Sequence, residues 1–289
     1  MFLQLFINGL AMGAIYALVA LGFVLVSNAV NVVNFSQGEW VMLGAYFAVT
    51  ASVAFHTPLI WAYLISVVVM ILFGWLFQRA VYHPLRDKPF ITIVISTIGV
   101  SLFLKNIARI IWGPQPTTFP SLFGENALDV FGVHILPQNL IIIAVTVILV
   151  ILQELFFNRT MVGKMMRATA QDQEASSLMG IRVSRMVSFT FMYSAALTAI
   201  AGVLVAPIYF VSADMGGNLA LKAFAAAIIG GFNNVRGAII GGLLLGVLET
   251  FGAGYISSVF KDAFTFFILI LFLAFRPEGI FRERIADKV

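Results

Sequence analysis

The 289 residues are 61% apolar and only 10% charged, and the mean hydropathy is +1.01. An ordinary soluble domain carries ~25% charged residues, so a soluble fold is excluded. The net charge of +4 has no clustered basic face with stacking aromatics, which argues against nucleic acid, and the absence of cysteine rules out disulfides, thiolate nucleophiles and cysteine metal sites.

The chain opens on MFLQLFINGL, which has no basic n-region and no small-residue cleavage site and reads as a retained first span. A span needs ~20 mainly apolar residues to cross ~30 Å of hydrocarbon. Six stretches meet this: Phe2 to Val26, Leu59 to Gln78, Phe90 to Trp112, Asn139 to Phe157, Met186 to Phe210, and Gly237 to Ile256. Ser258 to Phe275 is a seventh if Lys261 snorkels to the interface. Glu39 to Phe55 and Leu219 to Phe232 are shorter and flanked by Gly and Asn, as re-entrant or broken helices are. The reading is one all-α polytopic membrane domain over residues 1–289, with about eight or nine transmembrane or partly re-entrant helices.

Cytoplasmic loops are enriched in Lys and Arg. Arg79, Arg86 and Lys88 fall in one loop, Arg159, Lys164, Arg167, Arg182 and Arg185 in a second, and Arg276, Arg282, Arg284 and Lys288 in the tail. The segment Gly113 to Pro137 has no Lys or Arg and carries Glu125 and Asp129, as an outer loop would. Charge leaves the amino terminus unoriented: it is outside if both Phe2 to Val26 and Glu39 to Phe55 cross, and inside if the second only dips in. Asn34-Phe-Ser-Gln-Gly38 and Asn233-Asn-Val-Arg-Gly237 hint at duplicated halves, since each places Asn four residues before Gly at the head of a Gly-spaced apolar helix.

The long polar connection at 158–185 has no proline. Asp172 and Glu174 precede Ala175, Leu178 and Met179 at helical spacing, and Gly180 stands where a left-handed C-terminal cap belongs, so a short amphipathic helix is predicted. Such a helix is marginal alone in water. Its apolar stripe is covered either by the membrane interface or by another protein.

Polar groups inside spans are functional candidates because a charge at the bilayer centre costs at least ~2.5 kcal/mol. Asn34, Ser36, Gln37, Gly38 and Glu39 are the densest cluster, and Glu249 lies in a Gly-rich span. They line a translocation pathway, or the first five cap the start of a helix. Lys105 and Arg109 share one helix face, placed to receive a carboxylate or to snorkel to lipid phosphates. Pairing of Lys222 or Arg236 with Glu249 finds no support in their spacing. Gly9 and Gly13, Gly237 and Gly241, and Gly242 and Gly246 have the spacing of close helix packing, either internal or against a partner. His56, His83 and His134 are scattered, and neither H-E-x-x-H nor G-x-S-x-G occurs, so no enzyme or metal site is expected.

Arg167-Ala168, Asp172, Glu174-Ala175 and Gly180-Ile181 resemble the cytoplasmic coupling loop of ABC importer permeases, although Ser176 stands where the general signature has a second Ala. Over nearly the full length the chain is similar to the H-type permease family of the high-affinity branched-chain amino acid transport system. The matching blocks are NGLAMGAIYALVALGFVLV, VNFSQGEWVMLGAY, the coupling loop and GGFNNVRGAIIGGLLLGVLE. The resemblance implies an ABC importer permease fold in a bacterial inner membrane, importing branched-chain or other neutral amino acids by alternating access. It also implies a sister permease subunit, two ABC ATPase subunits carrying ATP and Mg, and a periplasmic substrate-binding protein. The chain itself has no G-x-x-x-x-G-K-[ST] to cradle phosphates and needs no cofactor. The competing class is an ion-coupled secondary transporter or channel acting without an ATPase.

Overall fold

The computed structural model describes residues 1–122, 124, 127–130 and 133–281. Glu125, Arg282, Arg284 and Lys288 lie outside the described residues. Helices dominate: α1 (Phe2–Val30), α2 (Gln37–Ala54), α3 (Leu59–Phe77), which runs through a π-helical turn (Gln78–Tyr82) into α4 (His83–Leu85), and α5 (Phe90–Trp112). A hairpin, β1 (Leu128–Val130) with β2 (Val133–Ile135), precedes α6 (Pro137–Arg159). Then follow α7 (Met161–Gln171), α8 (Gln173–Leu178), α9 (Val183–Val205), α10 (Met215–Gly230), α11 (Val235–Tyr255) and α12 (Lys261–Phe275).

Proline places several boundaries. Pro58 and Pro89 directly precede α3 and α5, and Pro137 sits in the first turn of α6, where a missing N–H costs nothing. Pro207 explains why α9 stops at Val205, short of the Phe210 expected from hydropathy, since continuing would lose a helix bond and clash with the preceding turn. Among the described residues six helices are long and apolar enough to cross a bilayer: α1, α3 with its continuation to Leu85, α5, α6, α9 and α11. Helices α2, α10 and α12 complete the bundle.

The amino terminus, which charge leaves undecided, is fixed by packing. Ala29, near the end of α1, accepts a hydrogen bond from Gln173 of the basic connection, and Asn28 donates to Asn233. At the other end Phe2 packs on Phe251 and Leu5 on Gly254, late in α11. The start of α1 therefore lies on the face opposite the basic loops, which the positive-inside rule assigns to the outside.

Helix α1 is the centre of the bundle and is buried through most of its length. Lipid offers no hydrophobic drive for helices to associate, so close contact must come from small residues. Gly9 and Gly13 face Gly246 and Gly242 across α1 and α11, where a Cβ on Gly13 would stand 2.8 Å from the Gly242 carbonyl. Gly237 and Gly241 press instead against Gly230 and Ala226 of α10. Thus all six candidate packing glycines lie in contacts within this chain.

The contacts are reciprocal between halves. Helix α1 packs on α10 and α11 as α9 packs on α2 and α3, and α2 meets α10. With α1 running inward and α9 outward, exchanging α1–α3 for α9–α11 reproduces this arrangement, an inverted repeat of the kind transporters use. This corrects the register suggested by Asn34 and Asn233. The partner of α2 is α10, and the two cross at Gly38 and Gly216, each of which has the other's backbone within reach of a Cβ. Asn234, by contrast, caps α11 by accepting from the Gly237 amide at 3.0 Å.

Candidate functional site

The basic connection folds as two helices, not one. Thr160 caps α7 by accepting from the Gly163 amide at 3.0 Å, and α7 turns Gly163, Met166 and Thr169 inward. Asp172 then caps α8 by accepting from the Ala175 amide at 2.9 Å. At the far end Gly180 has φ 82, the Ile181 amide donates to Ser176 at 3.0 Å and the Gly180 amide to Ser177 at 3.0 Å. This is the double bond of a Schellman cap, which satisfies carbonyls the helix would otherwise leave open. The cap predicted at Gly180 is present; α7 lacks the acidic first turn and the glycine stop that mark α8 in the sequence.

Helix α8 buries Ser176 and presents Leu178 and Met179 outward, 84% and 83% exposed. Glu174 and Ala175 are exposed beside them, and Arg167 on α7 donates to the Asn158 side-chain Oδ1 at 2.8 Å. The buried Ser176 occupies the position where the general importer signature has Ala. A rigid, capped knob with two large apolar tips therefore projects on the basic face of the protein.

The second candidate set is brought together only in part. Asn34 Oδ1 accepts from the Ser36 amide at 3.1 Å and from its hydroxyl at 2.7 Å, and Gln37 Nε2 donates to Ser194 Oγ at 2.8 Å. Ser194 Oγ in turn donates to the Gly22 carbonyl at 3.0 Å. Glu39 Oε1 accepts from Ser101 Oγ at 3.0 Å. Asn34, Ser36, Gln37, Gly38 and Glu39 are all buried and join α2 to α1, α5, α9 and α10. Within this chain they are buried at a helix crossing, and Asn34 also lines a small cavity with Val30, Thr97 and Phe191. Glu249 belongs to a separate cluster.

That cluster holds α10 against α11 and α12. Lys222 Nζ lies 2.7 Å from Glu249 Oε1 and 2.7 Å from Asp262 Oδ1, while Lys261 Nζ lies 3.3 Å from the same Glu249 oxygen. Burying such charges is tolerated in a membrane protein only when they are paired. Lys261 thus turns to a carboxylate and does not snorkel, and Arg236 pairs with Glu154 at 3.0 Å instead of with Glu249. Lys222 and Glu249 are 27 residues apart on different helices, a separation that carries no periodic signal.

Nor do Lys105 and Arg109 face lipid phosphates. Both reach Asp214, which stands just ahead of α10, and Arg109 Nη2 lies 3.0 Å from each carboxylate oxygen. Hydrogen bonds from Lys105 and then Arg109 hold the Asp214 carboxyl below the usual aspartate range. One turn into α10, Asn218 is exposed without a hydrogen bond to the described residues, and a Cβ on Gly217 would meet nothing. Sequence reading passed over Asp214, Gly217 and Asn218 because they sit at the edge of a marginal apolar stretch.

Comparison with known proteins gives a consistent picture. Residues 5–274 match the family model described as the permease component of the branched-chain amino acid transport system. The chain is similar to the high-affinity branched-chain amino acid transport system permease protein BraD of Pseudomonas aeruginosa, 36% identical with 100% of this chain and 98% of that one covered. It is 33% identical to the permease protein LivH of Escherichia coli, again over 100% and 98%. A probable branched-chain permease of Methanocaldococcus jannaschii is 28% identical over 91% of this chain and 87% of its own length.

Proposed function

The chain belongs to the family of branched-chain amino acid transport permeases, and on that premise we propose that it works in a bacterial inner membrane as one of two permease subunits importing branched-chain or other neutral amino acids. Two separate ATPase subunits bind and hydrolyse ATP with Mg. A periplasmic binding protein delivers the solute to the outer face, where the first residues of α1 lie. The exposed tips of α8, Leu178 and Met179, carry the proposal. A Schellman-capped helix on the basic face, with its apolar side chains turned away from its own bundle, suits a groove on an ATPase better than it suits lipid. Glu174, Ala175 and Gly180 set the shape of that contact, Asp172 fixes the helix start, and Arg167 borders it. ATPase closure then displaces α8, and Gln173, bonded to the Ala29 carbonyl at 2.6 Å, passes the motion to the end of α1.

The test is Leu178→Asp with Met179→Asp in the reconstituted transporter. Both positions are at the surface, so the chain still folds. ATP-driven uptake should fall about tenfold or more and the ATPase should no longer co-purify, as expected when anchor residues of an interface are lost. Undiminished uptake with the ATPase still bound would remove α8 from the interface.

A further inference from the structure

Asp214 at the cap of α10 and Asn218 and Leu221 within it recur at helical spacing and are all exposed. Helix α5 leaves the cytoplasmic face at Phe90, so Lys105 and Arg109 stand roughly 22 to 28 Å above it at ~1.5 Å per residue, and Asn218 lies one turn further inward along α10. Ionised groups and an unpartnered amide at that depth are not set against lipid tails. The middle of α12, by contrast, exposes the apolar Phe267 and Ile270. Below Asn218 the strip becomes aliphatic at Leu221 and then aromatic, where Phe35, 42% exposed, lies 6.2 Å from Phe224.

We propose that this strip is the wall this chain contributes to the translocation path, with Arg109 and Asp214 receiving the carboxylate and the ammonium of a zwitterionic amino acid. The proposal rests on the reading of the chain as an amino acid permease. Lys105 and Arg109 both reach Asp214, so the cluster offers two cationic donors to a carboxylate and one carboxylate to an ammonium, and a zwitterion can meet both signs at once. The aliphatic side chain of the solute then follows Leu221 toward Phe35 and Phe224, which close the strip on the cytoplasmic side.

The natural sequence has no cysteine, which gives a clean labelling test. Asn218→Cys, Gly217→Cys and Phe267→Cys are each placed in the complete transporter in proteoliposomes and treated with a charged methanethiosulfonate reagent. Cysteines at 218 and 217 should react about tenfold or more faster than one at 267, because only a hydrated thiol ionises to the reactive thiolate. Reaction at 218 should slow with leucine-loaded binding protein present and should block uptake. Gly217→Cys keeps the test open if Asn218→Cys fails to assemble, since a side chain there meets empty space. Labelling at 217 and 218 no faster than at 267 would overturn the proposal, as would fast labelling that leaves uptake intact. Absence of amino acid uptake by the unmodified transporter would instead refute the permease reading.

Discussion

Helices α2 and α10 occupy corresponding places in the two halves and meet at Gly38 and Gly216, yet their starts are built in opposite ways. The start of α2 is buried: Asn34, Ser36 and Gln37 bond one another and Ser194, and Glu39 Oε1 accepts from Ser101 of α5 while Oε2 is buried without a hydrogen bond. The start of α10 is open. Where α2 has Glu39, one residue past the crossing, α10 has Gly217 with nothing in reach, and the next residue is the exposed Asn218. Repetition supplies the scaffold, and the departure from repetition marks the face available for solute.

The largest expected effect comes from adjacent glycines on either side of that divide. A Cβ at position 216 would run into the Gly38 backbone, and one at Gly38 would stand 2.6 Å from the Gly216 carbonyl. Overpacking costs about 1–3 kcal/mol, and more where backbone cannot yield. Gly216→Leu should therefore lose the monodisperse folded protein in detergent, while Gly217→Leu should retain it. Equal damage at both positions would mean that α10 is as enclosed as α2.

The second test asks what holds an open helix in place. Helix α2 is tied by amides, hydroxyls and the Glu39 carboxyl without an ion pair of its own, whereas α10 is tied from behind by Lys222 to Glu249 and Asp262. Removing one member of a buried pair leaves a charge uncompensated and costs about 3–5 kcal/mol, but replacing both with apolar groups costs much less. Lys222→Met should lower the thermal midpoint, by less than the loss of an isolated pair because Lys261 still reaches Glu249, and Lys222→Met with Glu249→Met should recover most of the loss. A double variant no better than the single one would show that the attraction, not the uncompensated charge, dominates.

These two helices also mark where sequence reading stopped. Long apolar runs such as α3, α5 and α6 were legible because a lipid-facing helix must be apolar along its whole length. Helices α2 and α10 looked marginal because they begin at a crossing inside the bundle, where Gly and buried polar groups replace apolar residues. The resemblance of Asn34 and Asn233 set the repeat in the wrong register, since the true correspondence is made by Gly38 and Gly216, whose spacing to any Asn differs between halves. The capping signal at Asp172 and Gly180 was local and therefore readable. The Lys222 and Asp214 pairs join residues distant in sequence and left no local trace.

A smaller loss is expected on the buried side from Asn34→Ala. Asn34 Oδ1 accepts both the Ser36 amide and the Ser36 hydroxyl, and leaving a buried donor unpaired costs about 1–3 kcal/mol. Thermal unfolding of the variant should show that loss. A change within error would mean that water or a neighbour takes the place of the amide oxygen.

The smallest effect belongs to Asp214→Asn on the open side, because its carboxylate is 58% exposed and an exposed ion pair contributes about 0–1 kcal/mol. The sign with pH follows from the lowered carboxyl pKa in the folded chain. The pair's contribution is complete above the ordinary aspartate value of about 3.9 and is lost as pH falls through the lower folded value, where Asp214 takes up its proton. Wild type and Asp214→Asn should thus differ slightly at neutral pH and low salt, and converge both below that range and at about 1 M salt, where charges are screened within ~3 Å. A large, salt-resistant loss would mean that Asp214 is enclosed in the working transporter. The open start of α10 would then be covered by protein, and the contrast with α2 would hold only for the isolated chain.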